Sequence, residues 1–237
     1  MLSTPYSDSP APGGLLLIDK PQDFTSHDIV ALCRRVCGTK KIGHSGTLDP
    51  MATGLLLVLI GRQATKQQDQ FLKLSKVYSA TLTLGQETDS WDAYGTVTQQ
   101  LPIPPLTQAD VEKATHKLSG TVTQPIPFFS AKKVNGHPMY ALARQGMAQE
   151  RKYNQVTVTW QDVHLLDEKT ITFTVHCSCG TYVRSLGYLL AQALGTCGHL
   201  TALRRHKIGP YDVTDAFDGT QLKRANAAQL CTRIIPL

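Results

Sequence analysis

Asp49 stands in Gly43-His44-Ser45-Gly46-Thr47-Leu48-Asp49-Pro50-Met51-Ala52-Thr53-Gly54, immediately before the apolar run Leu55 to Ile60. A carboxylate on a Gly-rich loop that feeds a buried strand is held close to the interior by stiff backbone, while the glycines leave room for something large to approach. Acid, base or nucleophilic work on a bulky substrate would suit that position. Read without context, Asp49-Pro50 is equally a plain turn, because Asp before Pro commonly starts one. Cys177-x-Cys179 with Cys197-x-His199 is the other suggestive cluster, but neither C-x-C nor C-x-H has the spacing of a structural zinc site. No metal is expected. The cysteines at 33, 37, 177, 179, 197 and 231 form no compact framework and read as reduced thiols.

The elements that must position Asp49 are legible in hydrophobic period and punctuation. After a Pro- and Ser-rich leader over 1–12, Gly14 to Asp19 reads as a short buried strand broken by Lys20-Pro21. Ser26 is the expected N-cap of a helix in which Ile29, Val30, Leu32, Cys33, Val36 and Cys37 repeat at helical spacing, and Gly38 ends it. The stretch from Gly43 to Gly54 is expected to be loop, Leu55 to Ile60 a buried strand, and about Ala64 to Leu74 a helix. Val77 to Leu84 reads as a strand with Tyr78, Ala80, Leu82 and Leu84 on one face, and Thr107 to Leu118 as a helix capped by Thr107 and Asp110.

From Gln124 to Lys152 the chain turns basic and Pro-containing, with Lys132, Lys133, Arg144, Arg151 and Lys152 against the single acid Glu150 and a short helix expected around Tyr140 to Arg144. Gln155 to Leu166 and Thr170 to Cys179 alternate as neighbouring antiparallel strands, and Tyr182 to Leu194 reads as a helix closed by Gly195. Strands joined directly and helices without a regular strand-helix-strand rhythm predict an α+β domain.

With 237 residues, 41% hydrophobic and 18% charged, the chain is long enough for a substantial core and is neither disordered nor fibrous in composition. Lys and Arg number 24 against 18 Asp and Glu, a formal +6 that favours an anionic partner only weakly. The first residues lack a basic start and an apolar core, and no apolar run approaches the roughly 20 residues that span a bilayer. A cytoplasmic protein without membrane attachment is expected.

Read whole, the Gly43 to Gly54 string resembles the signature loop of the bacterial tRNA pseudouridine-55 synthase family, the TruB type. It is flanked in order by Leu17-Ile18-Asp19-Lys20-Pro21, Thr25-Ser26, Lys76-Val77-Tyr78, Thr88-Asp89-Ser90-Trp91-Asp92, Phe129 to Gly136, Gly180-Thr181-Tyr182-Val183-Arg184 and Leu203-Arg204-Arg205. The resemblance spans about 13–217. It implies a mixed, largely antiparallel central sheet with flanking helices, the pseudouridine synthase fold, carrying a thumb-like basic insertion over 124–152. It also implies a cofactor-free isomerase acting on uridine 55 of the tRNA T-loop; a monomer is the default expectation, apart from the resemblance.

Under that resemblance Asp49 is the catalytic carboxylate and must be ionised, while Arg184 is the arginine that pairs with it. Tyr78 is the aromatic residue on which the base stacks, with a phenol able to move a proton. Tyr182 and Leu203 line the uracil pocket, His44 contacts the substrate near the flipped nucleotide, and Lys20, in the Lys-Pro motif that supports the catalytic loop, is counted with them among the substrate-binding residues. Asp92 is expected to be structural. Lys132, Lys133, Arg144, Arg151 and Lys152 would meet RNA phosphates.

The match departs at the C-terminus, where relatives usually carry a small RNA-binding domain and 218–237 reads as a short tail. Asp23 stands where the family commonly has Gly, Gly61 to Lys66 is one residue longer than usual, and Lys132 replaces a typical Leu. Two other readings stay open: a tRNA-binding or folding protein without catalysis, and a synthase of this fold acting on another RNA.

Overall fold

Seven residues from Gly14 to Lys20 form β1, and Thr53–Ile60 forms β3; the two pair antiparallel along their whole length, from Gly14 opposite Ile60 to Lys20 opposite Gly54. Leu55 to Ile60 are wholly buried, which explains why the sequence there is continuously apolar rather than alternating. The computed structural model describes residues 13–130 and 150–237, together with the backbone of Lys133–Val134 and His137–Pro138. The chain divides into two compact units, Met1–Lys73 with Ile208–Leu237, and Leu74–Lys207.

In the first unit, β2 (Ile42–Ser45) and β1 both pair antiparallel with β3, and β14 (Phe217–Asp218) pairs parallel with β1. Helix α1 (Ser26–Cys37) lays Ile29, Val30, Cys33, Val36 and Cys37 on Leu16, Ile18, Leu56 and Val58. Its expected cap is shifted by one residue. Thr25 is the N-cap, accepting from the Asp28 amide in a reciprocal capping box, and Ser26 is the first helical residue. Gly38 closes the helix as expected. The helix expected over 64–74 begins earlier and breaks in two, α2 (Gly61–Lys66) and α3 (Gln68–Lys73).

In the second unit, β4 (Lys76–Leu84), β11 (Thr170–Cys177), β10 (Tyr153–Leu165) and β7 (Gly120–Pro125) lie side by side in that order, each pair antiparallel, with β12 (Gly198–Ile208) beside β4. Every second residue of β4 is buried, from Lys76 through Tyr78, Ala80 and Leu82 to Leu84, as its period predicts. Helices α4 (Gln108–Lys117) and α5 (Val183–Ala193) flank this sheet, and α4 carries the expected Thr107–Asp110 capping box. Short pairs β5 (Gln86–Thr88) with β6 (Val97–Gln100), and β8 (Lys133–Val134) with β9 (His137–Pro138), lie outside it. Among the described residues the remaining short elements are β13 (Tyr211–Asp212), α6 (Ala227–Cys231) and two 3-10 turns, Val213–Asp215 and Gly219–Lys223.

The architecture is thus α+β with a mixed, mainly antiparallel sheet and flanking helices, as read from the sequence. Strand β12 escaped that reading because Arg205, an apparent surface residue, points inward and breaks the apolar alternation. No described helix is long and apolar enough to cross a membrane.

Candidate active site

Around Asp49 the chain is looped only over 46–52, since Gly43 to Ser45 belong to β2 and Thr53 and Gly54 to β3. The loop was expected to be longer; pairing against β3 draws both ends into the sheet. Gly46 turns the chain at φ 79, a conformation costly for any residue with a Cβ. Hydrogen bonds then pin the loop on both sides of Asp49. The buried Ser26 hydroxyl donates to the Leu48 carbonyl at 3.1 Å and accepts from the Leu48 amide at 2.9 Å. Beyond Asp49, the Pro50 carbonyl accepts from the Asp23 amide at 2.9 Å, and the Ala52 amide returns to the Asp49 carbonyl at 3.1 Å. Leu48, Met51 and Ala52 are buried, whereas Asp49 is half-buried, so the loop turns its apolar side chains into the core and leaves Asp49 only partly covered.

Lys20 completes this support. It is 0% exposed, and its ammonium donates to the carbonyls of Phe24 at 2.6 Å, Pro21 at 2.9 Å and Pro50 at 3.5 Å. With no part of it reaching the surface, Lys20 is placed to brace the loop rather than to touch a substrate. His44 sits half-buried on β2 opposite Val58, its carbonyl accepting from the Gln68 side chain at 2.9 Å.

In the second unit, Tyr78 on β4 is 8% exposed and lies opposite Val175. Leu203 and Arg205 occupy the buried face of β12, and the Arg205 guanidinium donates to the Tyr78 hydroxyl at 3.4 Å. Tyr182 is half-buried at the N-cap of α5, its amide donating to the side chain of Gln124 at 3.2 Å. Gln124 is itself wholly buried and donates to Asn154 at 3.2 Å and to the Gly180 carbonyl at 2.9 Å, locking the turn that delivers Tyr182.

Arg184 lies in the first turn of α5, where the positive end of the helix dipole disfavours a cation. Its surroundings compensate. Asp92 is 3.6 Å away, Ser90 and Phe129 offer carbonyls at 2.6 and 2.8 Å, and Arg184 and Asp92 are both buried. Asp92 is held in turn by the Ser90 hydroxyl at 2.7 Å and the Tyr94 amide at 3.0 Å. The residue read from the sequence as merely structural is therefore an electrostatic partner of one read as catalytic.

Beside this pair runs a stack of four groups. Trp91, at φ 60, stacks on Tyr188 with centroids 4.3 Å apart, and the Arg151 guanidinium lies 4.6 Å from the Trp91 ring and 4.4 Å from that of Phe128. Arg151, expected on a phosphate, thus gives its faces to two rings, while Lys152 is exposed. The side chains of Lys132, Lys133 and Arg144, and the helix expected around Tyr140, lie outside the described residues. Among the described residues no three His, Cys, Asp or Glu side chains gather closely enough to hold a metal ion.

Gln124 and Arg205 are parts of these arrangements that sequence reasoning did not single out, and it read Ser26 as a helix cap rather than as a support of the loop. Only Ser26 and Arg205 stood within quoted motifs. Gln124 had no local signal, because its partners lie 30 and 56 residues away.

The chain as a whole resembles known proteins over most of its length. The model of the TruB family pseudouridylate synthase N-terminal domain matches residues 34–183. The chain is 41% identical over 224 residues to a tRNA pseudouridine synthase B of Opitutus terrae, covering 94% of this chain and 92% of that one. It is 42% identical over 203 residues to one of Syntrophotalea carbinolica, covering 86% of this chain and 66% of the relative. Among solved structures, a Cbf5-Nop10-Gar1 complex holds a chain that superposes with a TM-score of 0.66 at 25% identity, over 86% of this chain and 52% of that one. The archaeal box H/ACA sRNP Nop10-Cbf5 complex gives 0.66 at 22% identity, over 96% and 60%, a likeness of fold.

Proposed function

The chain belongs to the TruB family of pseudouridylate synthases and has the mixed sheet of their fold, and on that premise we propose that it isomerises uridine 55 in the T-loop of tRNA to pseudouridine. Isomerisation breaks the bond from ribose C1′ to N1 of uracil, turns the base, and joins C1′ to C5; the C5 proton leaves and N1 gains one. Atoms and electrons balance within the nucleotide, so no cofactor is consumed. The enzyme must draw the nucleotide out of its stack and hold one carboxylate against it, and a loop nucleotide is cheaper to extract than a paired one.

The observation that carries the reading is the pinning of 46–52 on both sides of Asp49 by Ser26, Asp23 and Lys20. A carboxylate presented from backbone fixed in this way is preorganised, so little of the barrier goes to positioning it. Asp49 acts as nucleophile or as the charge that stabilises the detached base. Arg184, already oriented by Asp92 and two carbonyls, supplies the cation for that carboxylate. Tyr78 stacks on the base and moves a proton, Tyr182 and Leu203 line the uracil pocket, and His44 meets the nucleotide's surroundings. Lys132, Lys133, Arg144, Arg151 and Lys152 grip phosphates of the T-arm. The enzyme works as a monomer in the cytoplasm.

Pseudouridine mapping of an unmodified tRNA transcript tests this, using the purified chain and its Asp49→Asn variant without added metal. The expected result is conversion of one T-loop uridine by the wild type and none by the variant. Conversion by both would mean that another carboxylate does the chemistry. Binding without conversion by either would put an RNA-folding protein, or a synthase for another RNA, in its place.

A further inference from the structure

Two cations are buried on neighbouring strands beside Tyr78. Lys76 and Tyr78 are alternate inward residues of β4, and Leu203 and Arg205 are alternate inward residues of β12. Arg205 is 1% exposed and Lys76 7%. Burial holds the Lys76 ammonium below the ordinary lysine range, and the nearby Arg205 charge pushes the same way. From β11, Cys177 faces this side, a thiol that burial raises to about 11 and so keeps neutral at pH 7. His206, next along β12, is turned to the Ser79 hydroxyl at 2.8 Å. The charges that these strands direct toward Tyr78 are therefore positive.

A fully desolvated guanidinium is expensive, and the one on β12 reaches the Tyr78 oxygen at 3.4 Å with its carbon 5.9 Å from the ring centroid. Arginine has five donors and no acceptor. Wherever it meets a phenol, the phenol oxygen must accept, and the phenol's own proton is directed elsewhere. We propose that Arg205 is a positioning residue for the isomerisation, acting through Tyr78: it fixes the direction of the phenol proton and eases formation of the phenolate. This rests on the role given above to Tyr78 as the group that moves a proton. Lys76 adds a second positive charge on the same side, its ammonium anchored on the Leu74 carbonyl at 2.6 Å.

The test has two arms, both in the whole chain. In the first, 3-fluorotyrosine is placed at position 78 and its ionisation followed by fluorine NMR; Arg205→Gln is expected to move that titration upward by about one pH unit. An unmoved titration overturns the proposal whether or not the protein modifies tRNA. In the second arm, single-turnover pseudouridine formation is expected to fall about tenfold in Arg205→Gln with tRNA affinity unchanged, and Arg205→Lys, which keeps a charged donor, is expected to restore part of the rate. In a Tyr78→Phe background the same Arg205→Gln change is expected to cost less than about threefold, because the hydroxyl it serves is gone. Equal losses in both backgrounds would make Arg205 a support of the fold only. Should Arg205→Gln fail to fold, Arg205→Lys carries both arms, with a smaller shift in the same direction. Absence of pseudouridine formation by the wild type would defeat the functional reading while the NMR arm still decides the contact.

Discussion

Asp23 occupies a left-handed backbone position, φ 65, and its amide holds the Pro50 carbonyl at 2.9 Å beside the candidate catalytic carboxylate. Aspartate tolerates that region better than most residues, yet glycine enters it without steric cost. Asp23→Gly is expected to stabilise the fold by up to about 1 kcal/mol and so raise the melting temperature modestly, whereas Asp23→Val should destabilise by about 1–2 kcal/mol because a β-branched residue fits there worst. Thermal melts of the two variants check both signs. The capping aspartates behave differently. Asp28 and Asp110 are held below the usual carboxylate range first by the hydroxyls of Thr25 and Thr107, then by the backbone amides of the same residues. A carboxyl whose pKa is lower folded than unfolded adds stability that is complete above its unfolded value, near 3.8, and is lost as pH falls through the folded one. Denaturation midpoints between pH 5 and pH 2 should therefore fall less steeply in Thr25→Val and Thr107→Val than in the wild type, since those variants lose the first cause of the shift.

At the scale of elements, α1 does two jobs with adjacent residues. Thr25 caps the helix, and Ser26, at its first turn, reaches the loop 22 residues later to satisfy both backbone groups of Leu48. Ser26→Ala leaves a buried amide and carbonyl without that partner, a cost of about 1–3 kcal/mol. Because the strain falls on the residue preceding Asp49, the expected signature is a kcat for tRNA reduced about tenfold or more, with KM little changed and the circular dichroism spectrum intact. A loss confined to KM would show that the loop binds rather than presents the carboxylate. The loop from Thr88 to Tyr94 links elements in a similar way: Ser90 and Asp92 hold Arg184 on α5, while Trp91 between them stacks on Tyr188 of the same helix and under Arg151. One short loop thus fixes both the arginine and the chain on which the basic segment re-enters the sheet.

Across the whole molecule, the residues after Phe217 are part of the first unit rather than a tail. Asp218 pairs with Asp19 in register, Leu222 and Leu230 are fully buried against α1, and Ile235 exchanges two backbone hydrogen bonds with Leu15, both 2.8 Å. Gly14 lies so close to the Ile235 carbonyl that a Cβ there would collide with it. Leu230→Ala is expected to destabilise the protein by about 2–5 kcal/mol in urea unfolding, as a core truncation does; a change below about 1 kcal/mol would mean that this segment is peripheral after all. The sequence by itself determined much of this protein: the α+β class, the capped helices α1 and α4, the alternation of β4, β10 and β11, and a family motif centred on Asp49. Those signals are local, carried by residues a few positions apart on one element. Tertiary structure alone decided that Ser26 serves the loop instead of the cap, that Arg205 points inward beside Tyr78, that Arg184 pairs with Asp92, and that the final twenty residues complete a sheet and a core. Each of these joins positions tens to hundreds of residues apart, and a buried polar side chain looks like a surface residue until its partner is brought to it.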